Sequence, residues 1–291
     1  PYTTLFRSGE PSTRSTPESK TPPGSRAVEL LAGLEADILT TWAEVTGATT
    51  RARRKPRTAT SALRALVGVA GDLDPHDLDQ WAAAIRPNTK AFFGETIANP
   101  KNEILDIKAI ADVAHSVGVP LIVDNTVATP YLIKPIDFGA DVVVHSATKF
   151  LSGHGNAVVG AIIDAGKFDY AKHQERFPGF NQPDPSYHGL VFSQALGVGS
   201  AFGANLSYIF KIRLQLLRDV GAAVAPFNAW LLAQGLETLS LRIERHIENA
   251  KAIATWLEAH PSVSKVNYAS LASSPWNKLA TKYAPKGSGA V

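Results

Sequence analysis

P-L-I-V-D-N-T-V-A-T-P at Pro120–Pro130, D-V-V-V-H-S-A-T-K-F at Asp141–Phe150 and S-G-H-G-N-A-V-V-G at Ser152–Gly160 decide how this 291-residue chain is read. Leu121–Val123 and Val142–Val144 are short apolar runs, each ending in polar residues. Buried parallel strands read this way when their carboxyl ends deliver side chains to a crevice. The first run delivers Asp124, and the second delivers Ser146, Thr148 and Lys149.

A carboxylate, two hydroxyls and a lysine at strand ends are the groups needed to hold pyridoxal 5'-phosphate. The lysine forms a Schiff base with the aldehyde, and the carboxylate pairs with a protonated ring nitrogen so that the ring can act as an electron sink. Hydroxyls and backbone N–H groups bind the phosphate. Lys149 follows Asp124 by 25 residues, which leaves room for one crossover between adjacent strands.

V-D-N-T-x-x-T-P at Val123–Pro130, S-A-T-K-F at Ser146–Phe150 and G-H-G at Gly153–Gly155 resemble the Cys/Met-metabolism family of pyridoxal-phosphate enzymes. Two longer stretches, Arg176–Gly189 and Pro226–His246, resemble its O-acetylhomoserine sulfhydrylase branch. The resemblance covers roughly Asp72 to Val291. It implies the aspartate-aminotransferase-like α/β fold (fold type I), a mostly parallel sheet flanked by helices with the start of a small C-terminal α/β domain.

The implied reaction is γ-replacement. O-acetyl-L-homoserine and sulfide, or a small thiol, become homocysteine or methionine and acetate. A cystathionine γ-synthase or γ-lyase, or an O-succinylhomoserine sulfhydrylase, is the alternative within the same chemistry. Lys149 and Asp124 take the catalytic roles, and Ser146, Thr148, Asn99 and Thr126 join them in holding the cofactor. Asn99 comes from E-T-x-x-N-P at Glu95–Pro100, and N-P alone is also a turn signal. Family members are usually homotetramers, so a homo-oligomer is expected.

The expected division is an aberrant or disordered segment at 1–71, a cofactor-binding domain at 72–237, and a linking helix with a truncated C-terminal domain at 238–291. Pro1–Ser8 reads like a translated sequencing adapter, and the Ser/Thr/Pro-rich run through Gly24 reads as disorder. Ala27–Val45 has helical spacing at Val28, Leu31, Leu34 and Ile38. The family's N-terminal phosphate segments and ring-stacking tyrosine segment have no match before Asp72, and its carboxylate-binding arginine has none before Val291. A catalytically incomplete fragment therefore stands beside the active-enzyme reading.

Further along, Asp74–Ile85 predicts a short helix, Ala91–Glu95 a strand, and Asp106 the N-cap of a helix buried through Ile107, Ile110, Ala111 and Ala114. Strands are predicted at Leu121–Asp124, Val158–Ile163 and Val263–Tyr268, an aromatic loop at Phe168–Gly189, and helices at Ala201–Arg218 and Leu239–Ala259.

Net charge is +3, and much of the excess sits in Arg51–Arg57, so nucleic acid is not an expected partner. Zero Cys excludes disulfides and thiolate chemistry, and zero Met marks a fragment or processed chain. No apolar run approaches the roughly 18 residues of a membrane span, and cytoplasmic is the default location. The histidines show no metal-ligand spacing, so no metal is expected. Ser146–Lys149 also matches the S-x-x-K of serine acyl-transfer enzymes, but that motif opens a helix and has S-D-N and K-T-G companions, which are absent here. Gly197–Gly203 misses the dinucleotide fingerprint by one residue.

Overall fold

The computed structural model describes Asp74, residues 76–289 and the backbone of a strand at Thr3–Phe6. The predicted helix at Ala27–Val45 and the basic run Arg51–Arg57 lie outside the described residues. Five strands form one mixed sheet: β1 (Thr3–Phe6), β2 (Phe92–Glu95), β3 (Leu121–Asp124), β4 (Val142–Ser146) and β5 (Gly160–Asp164), in the order β1-β5-β4-β3-β2. β2, β3 and β4 run parallel, whereas β5 is antiparallel to β4, and β1 is antiparallel to β5.

β3 sits at the centre of the parallel part, and Leu121, Ile122 and Val123 are all buried. A strand covered on both faces reads as a continuous apolar run, which is what L-I-V is. Helix α1 (Leu78–Ala83) is capped by Asp77, whose carboxylate accepts from the Gln80 N–H. Helix α2 (Ile107–Ser116) starts at Asp106, whose carboxylate accepts from the Ala109 N–H. It buries Ile107, Ile110, Ala111 and Ala114, the face that the 3.6-residue period predicts. Gly118, at φ +70°, then turns the chain into β3.

After β5 the chain builds a second, aromatic core from Phe168, Tyr170, Phe177, Phe180 and Phe192. The predicted loop at Phe168–Gly189 thus contains short helical turns at Tyr170–His173, Pro178–Asn181 and Pro185–Tyr187. The helix predicted over Ala201–Arg218 starts only at Ser207. The Asn205 side chain accepts from the Ser207 N–H and hydroxyl, and this local turn competes with a helix reaching further back. From Ser207 helix α3 (Ser207–Lys211) passes into a π-helical stretch at Ile212–Leu217 and ends at Gly221, φ +73°. Lys211 is buried and pairs with buried Asp184 at 3.0 Å.

Helices α4 (Pro226–Glu237) and α5 (Leu239–Glu258) follow, joined at Thr238. α5 buries Ile243, Ile247, Ala250 and Ala254 as its spacing predicts. Val263–Tyr268 is not a strand, because no described strand lies beside it to complete a ladder. Helix α6 (Asn277–Tyr283) closes the described chain against α2. The Tyr283 hydroxyl accepts from the Lys108 N–H at 3.1 Å and donates to Asp106.

Candidate active site

Three parallel strands end on one edge of the sheet. Glu95 of β2 stands opposite Asp124 of β3, and Asp124 stands opposite Val144 of β4, two residues before Ser146. Sheet registry therefore brings Asp124 to the same edge as the S-A-T-K turn that leaves β4.

Asp124 is half-buried, and its Oδ1 accepts from the Thr126 N–H at 2.8 Å. The Thr126 hydroxyl accepts from the Ser146 N–H at 2.7 Å. Thr126 thus ties the end of β3 to the end of β4 and fixes both the carboxylate and the start of the lysine-bearing turn. Asn125 is fully buried and donates to the Ile133 carbonyl at 2.9 Å, which turns the chain away behind Asp124.

From Ser146 the backbone coils tightly. Lys149 N–H donates to Ser146 O at 3.1 Å, Ser152 N–H to Ala147 O at 2.9 Å, and Gly153 N–H to Lys149 O at 2.8 Å. Lys149 is exposed, and among the described residues no hydrogen bond engages its ammonium or the Ser146 hydroxyl. The Thr148 hydroxyl is placed differently. It accepts from the Val159 N–H at 2.9 Å and points toward the Val159 carbonyl at 3.3 Å, which joins the turn to the approach of β5. Asn99 is exposed on the loop after β2, and its N–H donates to Glu95 Oε2 at 2.9 Å.

His145 is buried on β4, and burial lowers its pKa against the opposing pull of the Asp124 charge. His154 folds back on the Ser152 carbonyl at 2.9 Å. Among the described residues, no group of three or more His, Asp or Glu side chains is arranged to hold a metal ion.

The donor set fits pyridoxal phosphate: a primary amine and a hydroxyl without hydrogen bonds among the described residues, and one oriented carboxylate, all on adjacent strand ends. Three further residues shape this site; all lie in the Pro226–His246 stretch that carries the family resemblance, but no sequence feature placed them at the site. Gly235 of α4 packs on Ser152, Arg242 of α5 bonds Phe150, and His246 meets the Phe150 ring edge-on at 5.5 Å.

Residues 58–291 match the family model described as Cys/Met metabolism PLP-dependent enzyme. The chain belongs to that family. It is 53% identical over 224 residues to a homocysteine synthase of Schizosaccharomyces pombe, covering 77% of this chain and 50% of that protein. It is 50% identical over 221 residues to an O-acetyl-L-homoserine sulfhydrylase of Corynebacterium glutamicum, covering 75% and 49% respectively.

Among solved structures it is similar to a putative O-acetylhomoserine (thiol)-lyase of Campylobacter jejuni that carries a pyridoxyl-lysine monophosphate. The TM-score is 0.67 at 43% identity, with 75% of this chain and 52% of that one covered. An O-acetylhomoserine sulfhydrylase of Wolinella succinogenes gives a TM-score of 0.62 at 34% identity, covering 75% and 57%. The chain spans about half the length of the curated relatives it matches. The fold is that of these fold type I enzymes, and the family's cofactor is pyridoxal phosphate.

Proposed function

We propose that this chain carries the cofactor-anchoring half of an enzyme that replaces the acetoxy group of O-acetyl-L-homoserine by sulfide or a small thiol. The products are homocysteine (or methionine) and acetate. One observation carries the reading: Asp124 and the turn bearing Lys149 leave neighbouring parallel strands at the same sheet edge, bridged by Thr126. The names of the relatives supply the substrate class.

Bound at this edge, pyridoxal phosphate supplies the electron sink that stores negative charge while bonds at the substrate's α and β carbons are broken. Lys149 is assigned the covalent anchor to the aldehyde. When not bound to the aldehyde, the same amine would move protons between the substrate's Cα and Cβ. Its exposure and unengaged ammonium suit a group that must swing between two positions. Asp124 is assigned to a protonated ring nitrogen, with the Thr126 N–H holding the carboxylate in place. The Ser146 hydroxyl is assigned to the phosphate. Thr148, Asn99 and Thr126 are assigned to the rim of the same site, Thr148 and Thr126 acting through the backbone they brace.

We assign residues 72–237 to the cofactor-binding domain and 238–291 to the linking helix with the start of the C-terminal domain. The whole protein is proposed as a cytoplasmic homo-oligomer, tetrameric on the precedent of its family. Incubation with O-acetylhomoserine and sulfide in the presence of pyridoxal phosphate, with acetate and homocysteine both measured, tests the reaction. Equal amounts of the two products are expected. With the whole protein, O-succinylhomoserine used in preference, or no product although cofactor is bound, would overturn the assigned reaction.

A further inference from the structure

We infer that Arg242 is a positioning residue for Lys149, clamping the turn that carries the lysine onto the corner between α4 and α5. The inference deepens the proposed role of Lys149 and rests on it.

The Arg242 guanidinium uses all three of its nitrogens. Nη1 donates to the Phe150 carbonyl at 2.8 Å, Nη2 to the Gly235 carbonyl at 2.8 Å, and Nε to the Thr238 hydroxyl at 3.1 Å. Phe150 directly follows Lys149, and its carbonyl is held from outside the turn. The Gly235 carbonyl belongs to the last turn of α4, where carbonyls lack an intrahelical donor and carry the negative end of the helix dipole. One planar fork therefore satisfies two backbone oxygens 85 residues apart in sequence.

The backbone is shaped to admit the fork. A Cβ on Gly153, at φ +77°, would lie 2.7 Å from the Arg242 guanidinium carbon. A Cβ on Gly235 would lie 2.1 Å from the Ser152 carbonyl oxygen. One turn further along α5, His246 packs edge-on against the Phe150 ring. Two turns of α5 and the end of α4 thus grip the same short segment, Phe150–Gly153.

Lys149 itself is exposed, and among the described residues no hydrogen bond or ion pair aims its ammonium. Its direction is set by its backbone, which Thr126 ties at Ser146 and this clamp holds at Phe150. A lysine at 242 would offer one point charge in place of a fork matched to two acceptors.

The test uses the full chain with Arg242→Lys, Arg242→Met and Arg242→Ala. Hydrogen exchange is read at the Ser152 and Gly153 amides, which bond inside the turn, and at the β3 amides as reference. Borohydride trapping of pyridoxal phosphate on Lys149 is followed against pH. In all three variants the two turn amides are expected to exchange about tenfold faster or more. The β3 amides stay unchanged, and the pH midpoint of trapping shifts. Methylguanidinium added to Arg242→Ala restores both readouts.

Unchanged exchange at Ser152 and Gly153 overturns the clamp. So does faster exchange spread equally over β3, which would make Arg242 a contributor to global stability alone. Locally faster exchange with an unshifted trapping midpoint overturns the link to Lys149. If the parent chain shows no adduct on Lys149 at all, the assignment of that lysine fails, while the exchange result still judges the clamp.

Discussion

Substituting alanine for Gly235 perturbs the corner where α4 meets the lysine-bearing turn. The new Cβ would lie 2.1 Å from the Ser152 carbonyl oxygen and 2.7 Å from its carbon. Both obstacles are backbone, so no rotamer change relieves them, and helix or turn must retreat by about 1 Å to reach ordinary contact. Overpacking of this kind costs about 1–3 kcal/mol. Alanine returns about 1 kcal/mol of helix propensity over glycine. With rigid neighbours the cost lies in the upper part of its range, so a net loss of about 1–2 kcal/mol is expected. Urea unfolding followed by far-UV circular dichroism reads this as a lower midpoint at an unchanged slope. Trapping of pyridoxal phosphate on Lys149 should weaken in parallel. A midpoint equal to or above that of the parent chain, with normal trapping, would refute the close-packed corner.

Asp164 on β5 has its pKa raised to about 6, chiefly by burial, although the Gly166 N–H bonds its Oδ1 at 2.9 Å. The folded value exceeds the unfolded one, so folding disfavours the charged form. This group's contribution is intact below the unfolded value of 3.8 and is lost as pH rises through about 6. Asp164→Asn, which keeps the Gly166 bond, should therefore stabilise the chain at about pH 8 by up to about 3 kcal/mol and leave it unchanged near about pH 4. A difference in urea midpoint that does not vary with pH contradicts this.

Thr126→Val removes the acceptor of the Ser146 N–H and should cost about 1–3 kcal/mol, with Thr126→Ser close to the parent. Equal unfolding midpoints for the two variants would show that the bridge does not matter. Asp124→Asn should still form the Lys149 adduct but lose turnover by several orders of magnitude, and near-normal homocysteine formation would remove Asp124 from its role.

Much of the site was legible because its elements are locally encoded. L-I-V-D and V-V-V-H-S announce buried strands with polar ends, and Asp106 with Ile107, Ile110, Ala111 and Ala114 announces a capped helix. What escaped depends on distant partners. A-I-I-D has the same apolar character in either strand direction, so the antiparallel course of β5 comes from its pairing with β4. Val263–Tyr268 has strand-like composition but no described neighbour to bond. The Thr148 hydroxyl reads as a phosphate group from its place in S-A-T-K, while the bond it accepts from the Val159 N–H, eleven residues on, is set by the fold. Arg242 reaches Phe150 across 92 positions, a contact that no spacing rule encodes.

The central claim is that Lys149 anchors a pyridoxal phosphate whose ring nitrogen meets Asp124. Reducing the chain with borohydride in the presence of the cofactor, then mapping the adduct by peptide mass, tests it most directly. A single pyridoxyl adduct is expected on the peptide containing Lys149, absent in Lys149→Ala. An adduct on another lysine, or equal labelling of the Lys149→Ala chain, would contradict it.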